Sequence, residues 1–297
     1  MLNLGRTINP AIMKVRFFSN YDSSDGLLGR FLANYIVNDQ QIRFTTKRDY
    51  DFAVVFNRTN DPIKKTAGII TVVQEPSWSP AFERTDFLTG SDYLLVHDAN
   101  LFRETLGIEL GGEVIECPSY MFYHDRVMNP FWDFVQAVDK PKKLSIIVSH
   151  INREQGNYRK RIALLEKILD SDLEIDIYGR RLEIDDKRFR GQLDFKYTGL
   201  LPYQYSIALE NCNERNYVTE KFVDCAMCNT IPIYNGAPNV GDIYDERFFR
   251  TINLDSPTVI DDIREIIKHP AERSHVNREI YRHERNLYTK LKEIILD

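Results

Sequence analysis

Short apolar runs, separated by turns and polar stretches, organise the first part of the chain. The runs are KVRFF from Lys14, FAVVF from Phe52, GIITVV from Gly68, YLLV from Tyr93 and EVI from Glu113. Continuous runs of this length are typical of strands that are buried on both faces of a parallel sheet. A candidate helix at 26–37 lies between the first two runs. The pattern predicts an α/β fold.

The second half of the chain repeats this alternation. Strands are predicted at 144–148, 173–178, 206–209, 231–234 and 249–253, and helices at 158–169, 220–227, 258–268 and 276–296. A polar, proline-containing stretch at 136–143 separates the two halves. We therefore predict two Rossmann-like domains, 13–138 and 139–297, that face a central cleft at the carboxyl ends of their strands. The C-terminal helix is able to pack back on the first domain.

Length, composition and charge narrow the class of protein. The 297 residues are about twice the ~150 expected of one domain. With 39 Lys and Arg against 44 Asp and Glu, the net charge of −5 argues against a nucleic-acid partner. No apolar run reaches the ~18–20 residues of a membrane span, and the N-terminus has no signal-like core. We expect a cytoplasmic protein, with peripheral contact to the inner face of a membrane left open. Residues 1–12 precede the first strand and are set aside as a cloning remnant or an alternative start.

Polar residues gather between two apolar strands in the window 209–236. Glu210 and Asn211 end the first strand, and Thr219 stands where it could cap the helix that follows. Lys221 lies in the first turn of that helix, where its charge opposes the helix dipole and needs a negative partner. A diphosphate bound at the helix N-terminus would supply that partner. A solvated helix start is the alternative, but Asn, Tyr, Thr, Glu and Lys within eleven positions favour a polar binding site.

This window resembles the donor-binding motif of glycosyltransferase family 10, the α-1,3/α-1,4-fucosyltransferases. The motif reads approximately Phe-Glu-Asn, five residues, Tyr-x-Thr-Glu-Lys, and later Pro-Ile/Val-x-x-Gly. The chain has the same internal spacing and departs from the motif at Leu209 and Cys212, where the family usually has Phe and often Ser. Weaker similarity covers Ser149 with Arg161 in the second half. In the first half, Gln74-Glu75-Pro76 is similar to the family's Gly-Glu-Asn-x-x-Pro loop.

The resemblance implies a GT-B architecture, with an N-terminal acceptor domain and a C-terminal sugar-nucleotide domain. It implies inverting, metal-independent transfer, most simply of L-fucose from GDP-fucose to a hydroxyl of a glycan. By motif position, Asn211, Tyr217 and Lys221 would contact the diphosphate, Arg161 the phosphates, and Glu220 the ribose or sugar. Ser149, Tyr178 and Glu210 complete the predicted donor-binding set. Glu75 would be the general base, and the alternative for Glu75 is a carboxylate on a loop surface.

No metal or other cofactor is expected. Cys225 and Cys228 form a CxxC, but no second CxxC or His pair completes a zinc site, so we interpret them as apolar groups on a helix. The segment 170–172 is formally a DxD, the metal-nucleotide signature of another glycosyltransferase fold. It links a predicted helix to a strand and does not end a strand, which argues against a metal site.

Other functions stay open at this point. The same fold could use a UDP-, GDP- or CMP-linked sugar in the synthesis of a surface glycan such as lipopolysaccharide, because a diphosphate motif specifies neither base nor sugar. A non-catalytic glycan- or nucleotide-binding protein is a second alternative, against which the presence of both Glu75 and Lys221 argues. A Rossmann-type oxidoreductase is disfavoured because no GxGxxG follows the first strand.

Overall fold

The structure is a computed structural model that describes residues 11–35, 37–119, 138–151, 153–269 and 274–297. Its first sheet is parallel throughout and has the strand order β2-β1-β3-β4-β5-β6. The strands are β1 (Met13–Ser19), β2 (Ile42–Phe44), β3 (Phe52–Phe56), β4 (Gly68–Val72), β5 (Tyr93–Val96) and β6 (Glu113–Glu116). The helices of this half are α1 (Ser24–Asn34), α2 (Asp86–Thr89) and α3 (Ala99–Leu106).

The second sheet is also parallel and has the order β11-β10-β9-β7-β8. Its strands are β7 (Lys142–Ile147), β8 (Asp176–Tyr178), β9 (Tyr203–Leu209), β10 (Ile231–Asn235) and β11 (Arg250–Thr251). The helices are α4 (Tyr158–Leu169), α5 (Glu220–Met227), α6 (Val259–Lys268), α7 (Val276–Glu279), which continues as a π-helical turn (Ile280–Glu284), and α8 (Leu287–Leu296). The predicted α/β class is confirmed.

Several bounds differ from the sequence prediction: α1 ends at Asn34 where 26–37 was predicted, β8 and β11 are shorter than predicted, and β9 begins three residues earlier. Two further differences have a local cause. The strand β2 was not predicted, because its three residues Ile-Arg-Phe do not form an apolar run. The single helix predicted at 276–296 is interrupted at Arg285, whose backbone leaves the helical region. Asn286 then begins α8 as its N-cap, since its side chain accepts a hydrogen bond from the Thr289 N–H. Asparagine favours exactly this kind of helix start over a helix interior.

The C-terminal segment of the chain packs against the first half. The Tyr288 hydroxyl accepts a hydrogen bond from the Asp39 N–H at 3.0 Å, and Lys292 Nζ lies 2.9 Å from the Asp39 carboxylate. One apolar cluster contains Phe31 of α1, Phe222 of α5 and residues of α8. The two halves therefore share a core. The domain boundary at 138/139 stays a prediction, and residues 1–10 and 120–137 lie outside the described residues.

The described helices give no candidate for a membrane span, since none combines the necessary length with sufficient apolar character. The carboxyl ends of β4 and β9 matter most for function. Glu75 follows β4 by three positions, and Glu210 follows β9 directly. Ser149 and Tyr178 of the predicted site belong to other strand ends, after β7 and at the end of β8.

Candidate active site

Glu210 organises the start of α5. Its side chain is fully buried, and its two oxygens accept hydrogen bonds from the Thr219 N–H at 2.8 Å and the Thr219 hydroxyl at 2.6 Å. Thr219 in turn is the N-cap, because its Oγ1 accepts from the Lys221 N–H. Burial raises the pKa of Glu210, and the nearby Lys221 ammonium opposes that shift. The predicted donor-contacting residue Glu210 thus lies behind the helix start and orients it.

Lys221 is paired with carboxylates of its own chain. Its Nζ lies 3.1 Å from Glu220 Oε1 and 3.4 Å from Glu210 Oε2. Burial would lower the pKa of Lys221, but the charges of Glu220 and Glu210 outweigh burial and raise it. The lysine is therefore held as a cation at the N-terminus of α5. The negative partner that its sequence position demands is supplied, at least in part, by these two glutamates.

Arg161 of α4 is a buried cation with very little pairing. It is 7% exposed, and its Nη1 donates to Asn211 Oδ1 at 2.6 Å. Its Nε has no hydrogen-bond partner, and no carboxylate of the described residues lies within 4 Å of its guanidinium. Burial lowers the pKa of Arg161, and the charges of Glu210 and Glu220 oppose that shift from beyond contact distance. Because this buried guanidinium contacts no described carboxylate directly and keeps an unused N–H donor, the arrangement favours an anionic ligand beside Arg161 and Asn211.

The N-terminus of α4 is fixed against the loop that follows β9. The Asn157 N–H donates to the Asn211 carbonyl at 2.7 Å. Gly156 has a φ of 63°, and a Cβ there would lie 2.2 Å from the Asn211 carbonyl oxygen. A glycine is therefore required where the two segments meet. This close approach places Arg161 next to the motif residues, although they are 50 positions apart in the sequence.

Tyr217 lies between the two halves. Its ring contacts the His97 ring edge-on, with 5.1 Å between the centroids. Burial, reinforced by the carboxylates of Glu210 and Glu75, raises the pKa of Tyr217 well above the ordinary phenol value. The phenol therefore stays neutral and keeps its proton. A neutral phenol among these groups can donate a hydrogen bond to an anion.

Glu75 faces these residues from the first half. The N–H groups of Gln74 and Glu75 donate to Asn57 Oδ1 at 2.7 and 3.3 Å, which fixes the loop after β4. Burial raises the pKa of Glu75, Lys221 lowers it, and Glu220 raises it further. A half-buried carboxylate with a raised pKa is a better proton acceptor than one in water. The structure thus brings Glu75 within electrostatic reach of Lys221 and Glu220.

A cavity of about 530 Å³ lies at the carboxyl edge of the second sheet. Its walls include Ser149, Arg180, Asp194, Lys196 and Glu220. Lys196 pairs with Asp224 and lies 3.8 Å from Glu220 Oε1. The cavity adjoins the start of α5, so a ligand whose anionic part contacts α5 has room to extend into it. Asp194 and Lys196 were missed by sequence reasoning, because they lie in a charged segment for which the sequence pattern predicted no element.

Tyr178 is not brought to this cavity. Its hydroxyl lies 2.7 Å from the Tyr203 hydroxyl, which donates to Asp176 at 2.6 Å. Gly179 and Arg180, the next two residues, line the cavity. The remaining predicted residues lie around the cavity, the start of α5 and the loop that faces it. They are Ser149, Arg161, Glu210, Asn211, Tyr217, Glu220, Lys221 and Glu75.

In the described part of the chain, no three His, Cys, Asp or Glu side chains are grouped so that they could hold a metal ion. The four cysteines are buried and none forms a disulfide. Cys225 and Cys228 belong to the apolar core around α5, as interpreted from the sequence. Metal independence itself stays a prediction.

Comparison with known proteins places this site in a family. The sequence profile of glycosyltransferase family 10 (fucosyltransferase), C-terminal part, matches residues 137–292, just over half of the chain. A protein of Arabidopsis thaliana named as fucosyltransferase-like is 33% identical over 109 residues, which cover 37% of this chain and 20% of that protein. Alpha-(1,3)-fucosyltransferase fut-5 of Caenorhabditis elegans is 36% identical over 100 residues, which cover 32% of this chain and 25% of that protein. The matches thus span a quarter or less of these relatives.

Solved structures share the whole fold at low sequence identity. An α1,3-fucosyltransferase has a TM-score of 0.57 at 16% identity, with 100% of this chain and 93% of that chain covered. An α1,3-fucosyltransferase bound to GDP-fucose has a TM-score of 0.54 at 17% identity, with 91% of this chain and 82% of that chain covered. A sucrose-phosphate synthase of Thermosynechococcus elongatus has a TM-score of 0.52 at 10% identity, with 97% of this chain and 98% of that chain covered. These neighbours are GT-B glycosyltransferases, so the predicted GT-B architecture is confirmed. The chain belongs to glycosyltransferase family 10, the fucosyltransferase family.

Proposed function

We propose that this protein is an inverting, metal-independent glycosyltransferase that transfers L-fucose from GDP-fucose to a hydroxyl of a glycan. Family membership supports the transferase class, and an α1,3-fucosyltransferase bound to GDP-fucose shares the fold. The observation that carries the proposal is the buried Arg161 guanidinium, whose hydrogen-bond partner is the neutral Asn211 amide. A buried cation that no described carboxylate contacts directly, near the carboxyl ends of the strands, suits the diphosphate of a sugar nucleotide.

The proposed reaction is a single displacement. The acceptor hydroxyl oxygen forms a bond to the anomeric carbon, while the bond between that carbon and the diphosphate oxygen breaks. The hydroxyl proton passes to the Glu75 carboxylate, and the electron pair of the broken bond goes to the diphosphate. Attack from the face opposite the leaving group inverts the anomeric configuration.

The second half would stabilise the negative charge that accumulates on the diphosphate. Arg161, Lys221 and the neutral Tyr217 phenol supply donors from fixed positions. Donors that are fixed before the reaction stabilise developing charge without reorganising, and each is typically worth ~2.7–4 kcal/mol in the transition state. Together they would serve the role that a divalent cation serves in metal-dependent enzymes.

A panel of nucleotides and nucleotide sugars tests the donor. We expect GDP and GDP-fucose to raise the melting temperature, because a ligand at 100 times its dissociation constant adds ~2.7 kcal/mol of stability. The shift should shrink strongly in Arg161→Gln and persist in Arg159→Gln, a matched control on an exposed position of the same helix. Stabilisation and turnover with a UDP-sugar, and neither with GDP-fucose, would contradict the fucosyl assignment.

Two further measurements test the mechanism. NMR of the product should show an anomeric configuration opposite to that of the donor. Turnover should be unchanged by EDTA. Retention of configuration would refute the single displacement, and activity that EDTA abolishes and Mn²⁺ restores would refute metal independence.

A further inference from the structure

Glu214 lies in the loop between Asn211 and Tyr217, but its hydrogen bonds go to the other half of the protein. Its carboxylate accepts from the Ser77 N–H and the Ser77 hydroxyl, each at 3.0 Å. His97 Nε2 lies 2.6 Å from Glu214 Oε2. Glu214 is 9% exposed, Ser77 1% and His97 0%. One buried carboxylate therefore joins the loop of the donor motif to two loops of the first half.

Each partner of Glu214 adjoins a residue of the proposed reaction. Ser77 is two positions from Glu75 in the loop after β4. His97 packs against the Tyr217 ring, and its carbonyl accepts a hydrogen bond from Asn216 Nδ2 at 2.8 Å. A shift of Glu214 would move both neighbours at once. Glu214 is therefore one of the contacts that fix the Glu75 loop relative to the donor motif, beside the Trp78 ring against Tyr158.

A solvent-exposed ion pair between the halves provides a contrast. Arg215, the next residue, places its Nη1 2.8 Å from Glu116 Oε2. Both of its side chains are more than a third exposed, so the pair is solvated and adds little. Glu116 also lies at the end of β6 and contacts none of the residues of the proposed site described above. Glu214 and Glu116 thus connect the same two halves, but Glu214 does so in the interior and Glu116 at the surface.

We propose that Glu214 is a positioning residue that sets the distance between the Glu75 carboxylate and the donor site. This inference rests on the proposed function, in which Glu75 removes the acceptor proton. Misplacement of a reacting group by 1 Å can cost about 100-fold in rate. Arg161 and Lys221 are held by Asn211, Glu210 and Glu220 within the second half, so donor binding does not depend on Glu214 in the same way.

The kinetic test compares Glu214→Ala, Glu214→Gln and the matched control Glu116→Gln. In Glu214→Ala we expect kcat to fall by about 10- to 100-fold, while the dissociation constant for GDP changes by less than about threefold. Glu214→Gln should recover part of the loss, because the amide oxygen still accepts from Ser77. Glu116→Gln should keep kcat within about twofold of wild type. Equal losses in kcat and GDP affinity, or an equal loss in Glu116→Gln, would overturn the proposal.

Amide hydrogen exchange supplies a readout that needs no turnover. In Glu214→Gln, which preserves the size of the side chain, we expect faster exchange in both 73–79 and 211–219 and no change in Glu116→Gln. Faster exchange confined to 211–219 would overturn the coupling between the two halves. A wild-type chain that neither binds nor uses GDP-fucose would refute the proposed function instead, and the exchange measurement would still decide whether Glu214 joins the two loops.

Discussion

The two sheet edges that face the cleft differ in the charges they carry. The edge of the first sheet presents the Glu75 carboxylate on a loop whose Gln74 and Glu75 N–H groups donate to the neutral Asn57 side chain. The edge of the second sheet brings cations and carboxylates together around α5, with Lys221 between Glu220 and Glu210. A half-buried carboxylate with a raised pKa suits proton removal, whereas fixed cations suit a diphosphate. The difference divides the proposed reaction between the two halves.

The cations of the second edge also differ from one another. Lys221 has two carboxylates within 3.4 Å, but Arg161 has the Asn211 amide as its hydrogen-bond partner. Lys221 therefore has carboxylates in direct contact before any ligand arrives, whereas the same two carboxylates act on Arg161 from beyond contact distance. We expect the ligand to gain more from Arg161, and the folded chain to depend more on Lys221.

Removing the carboxylate of the first edge should have the largest effect. In Glu75→Gln we expect kcat to fall by about 10²–10⁴-fold, the usual contribution of a general base. GDP affinity should change little, because the donor-binding groups lie on the other edge. Steady-state kinetics and calorimetric titration with GDP separate the two effects. Glu83→Gln, at an exposed position of the first half, is the control; turnover of Glu75→Gln within twofold of that control would remove Glu75 from the reaction.

Removing Arg161, the cation of the second edge that no described carboxylate contacts directly, should have the second-largest effect. Arg161→Met should lose ~2.7–4 kcal/mol of transition-state stabilisation, or about 10²–10³-fold in kcat/KM. The ligand-free chain should lose less stability than Lys221→Met does, because no described carboxylate contacts Arg161 directly. Kinetics and thermal unfolding of the same variant test both statements, with Arg159→Met as the control. A large loss of stability without ligand would show that Arg161 serves the fold more than the ligand.

Removing Lys221, the cation paired with Glu210 and Glu220, should reduce stability more than removing Arg161 does. Lys221→Met leaves the fully buried Glu210 carboxylate without its ammonium, and we expect a loss of about 2–3 kcal/mol in the free energy of unfolding. Urea unfolding of Lys221→Met beside Arg161→Met measures the difference directly. If Arg161→Met proves the less stable of the two, the distinction between the two cations fails.

The sequence predicted the elements of the second edge better than their long-range contacts. Helix α4 was predicted at its observed bounds, 158–169, because its apolar residues recur at helical spacing on one face. Helix α5 was predicted with its N-cap Thr219, because motif and capping chemistry are local. Ser77 and Glu214 are 137 positions apart, and no local pattern relates them. The sequence could not predict how near Arg161 lies to carboxylates either, since that depends on where the fold places Glu210 and Glu220.

The pH dependence of turnover links the two edges. Burial raises the pKa of Glu75 above its ordinary value near 4.5. A general base acts only when it is deprotonated, so the rate should fall as the pH drops through this raised pKa. The acid limb of the kcat/KM profile should therefore lie above the range of an ordinary glutamate. A limb at or below the ordinary value would contradict the burial of Glu75 as the dominant influence.

The smallest effect expected is a shift of that limb by a charge on the opposite edge. Lys221 lowers the pKa of Glu75, and Lys221→Met removes this opposing charge. The acid limb of Lys221→Met should therefore move to higher pH than that of wild type, whereas Arg159→Met should leave it in place. The profile is measured at a temperature where both variants are folded, so that lost stability does not distort the limb. If the acid limb of Lys221→Met stays at the wild-type pH, the charge of Lys221 does not affect the pKa of Glu75, and the two edges are electrostatically independent.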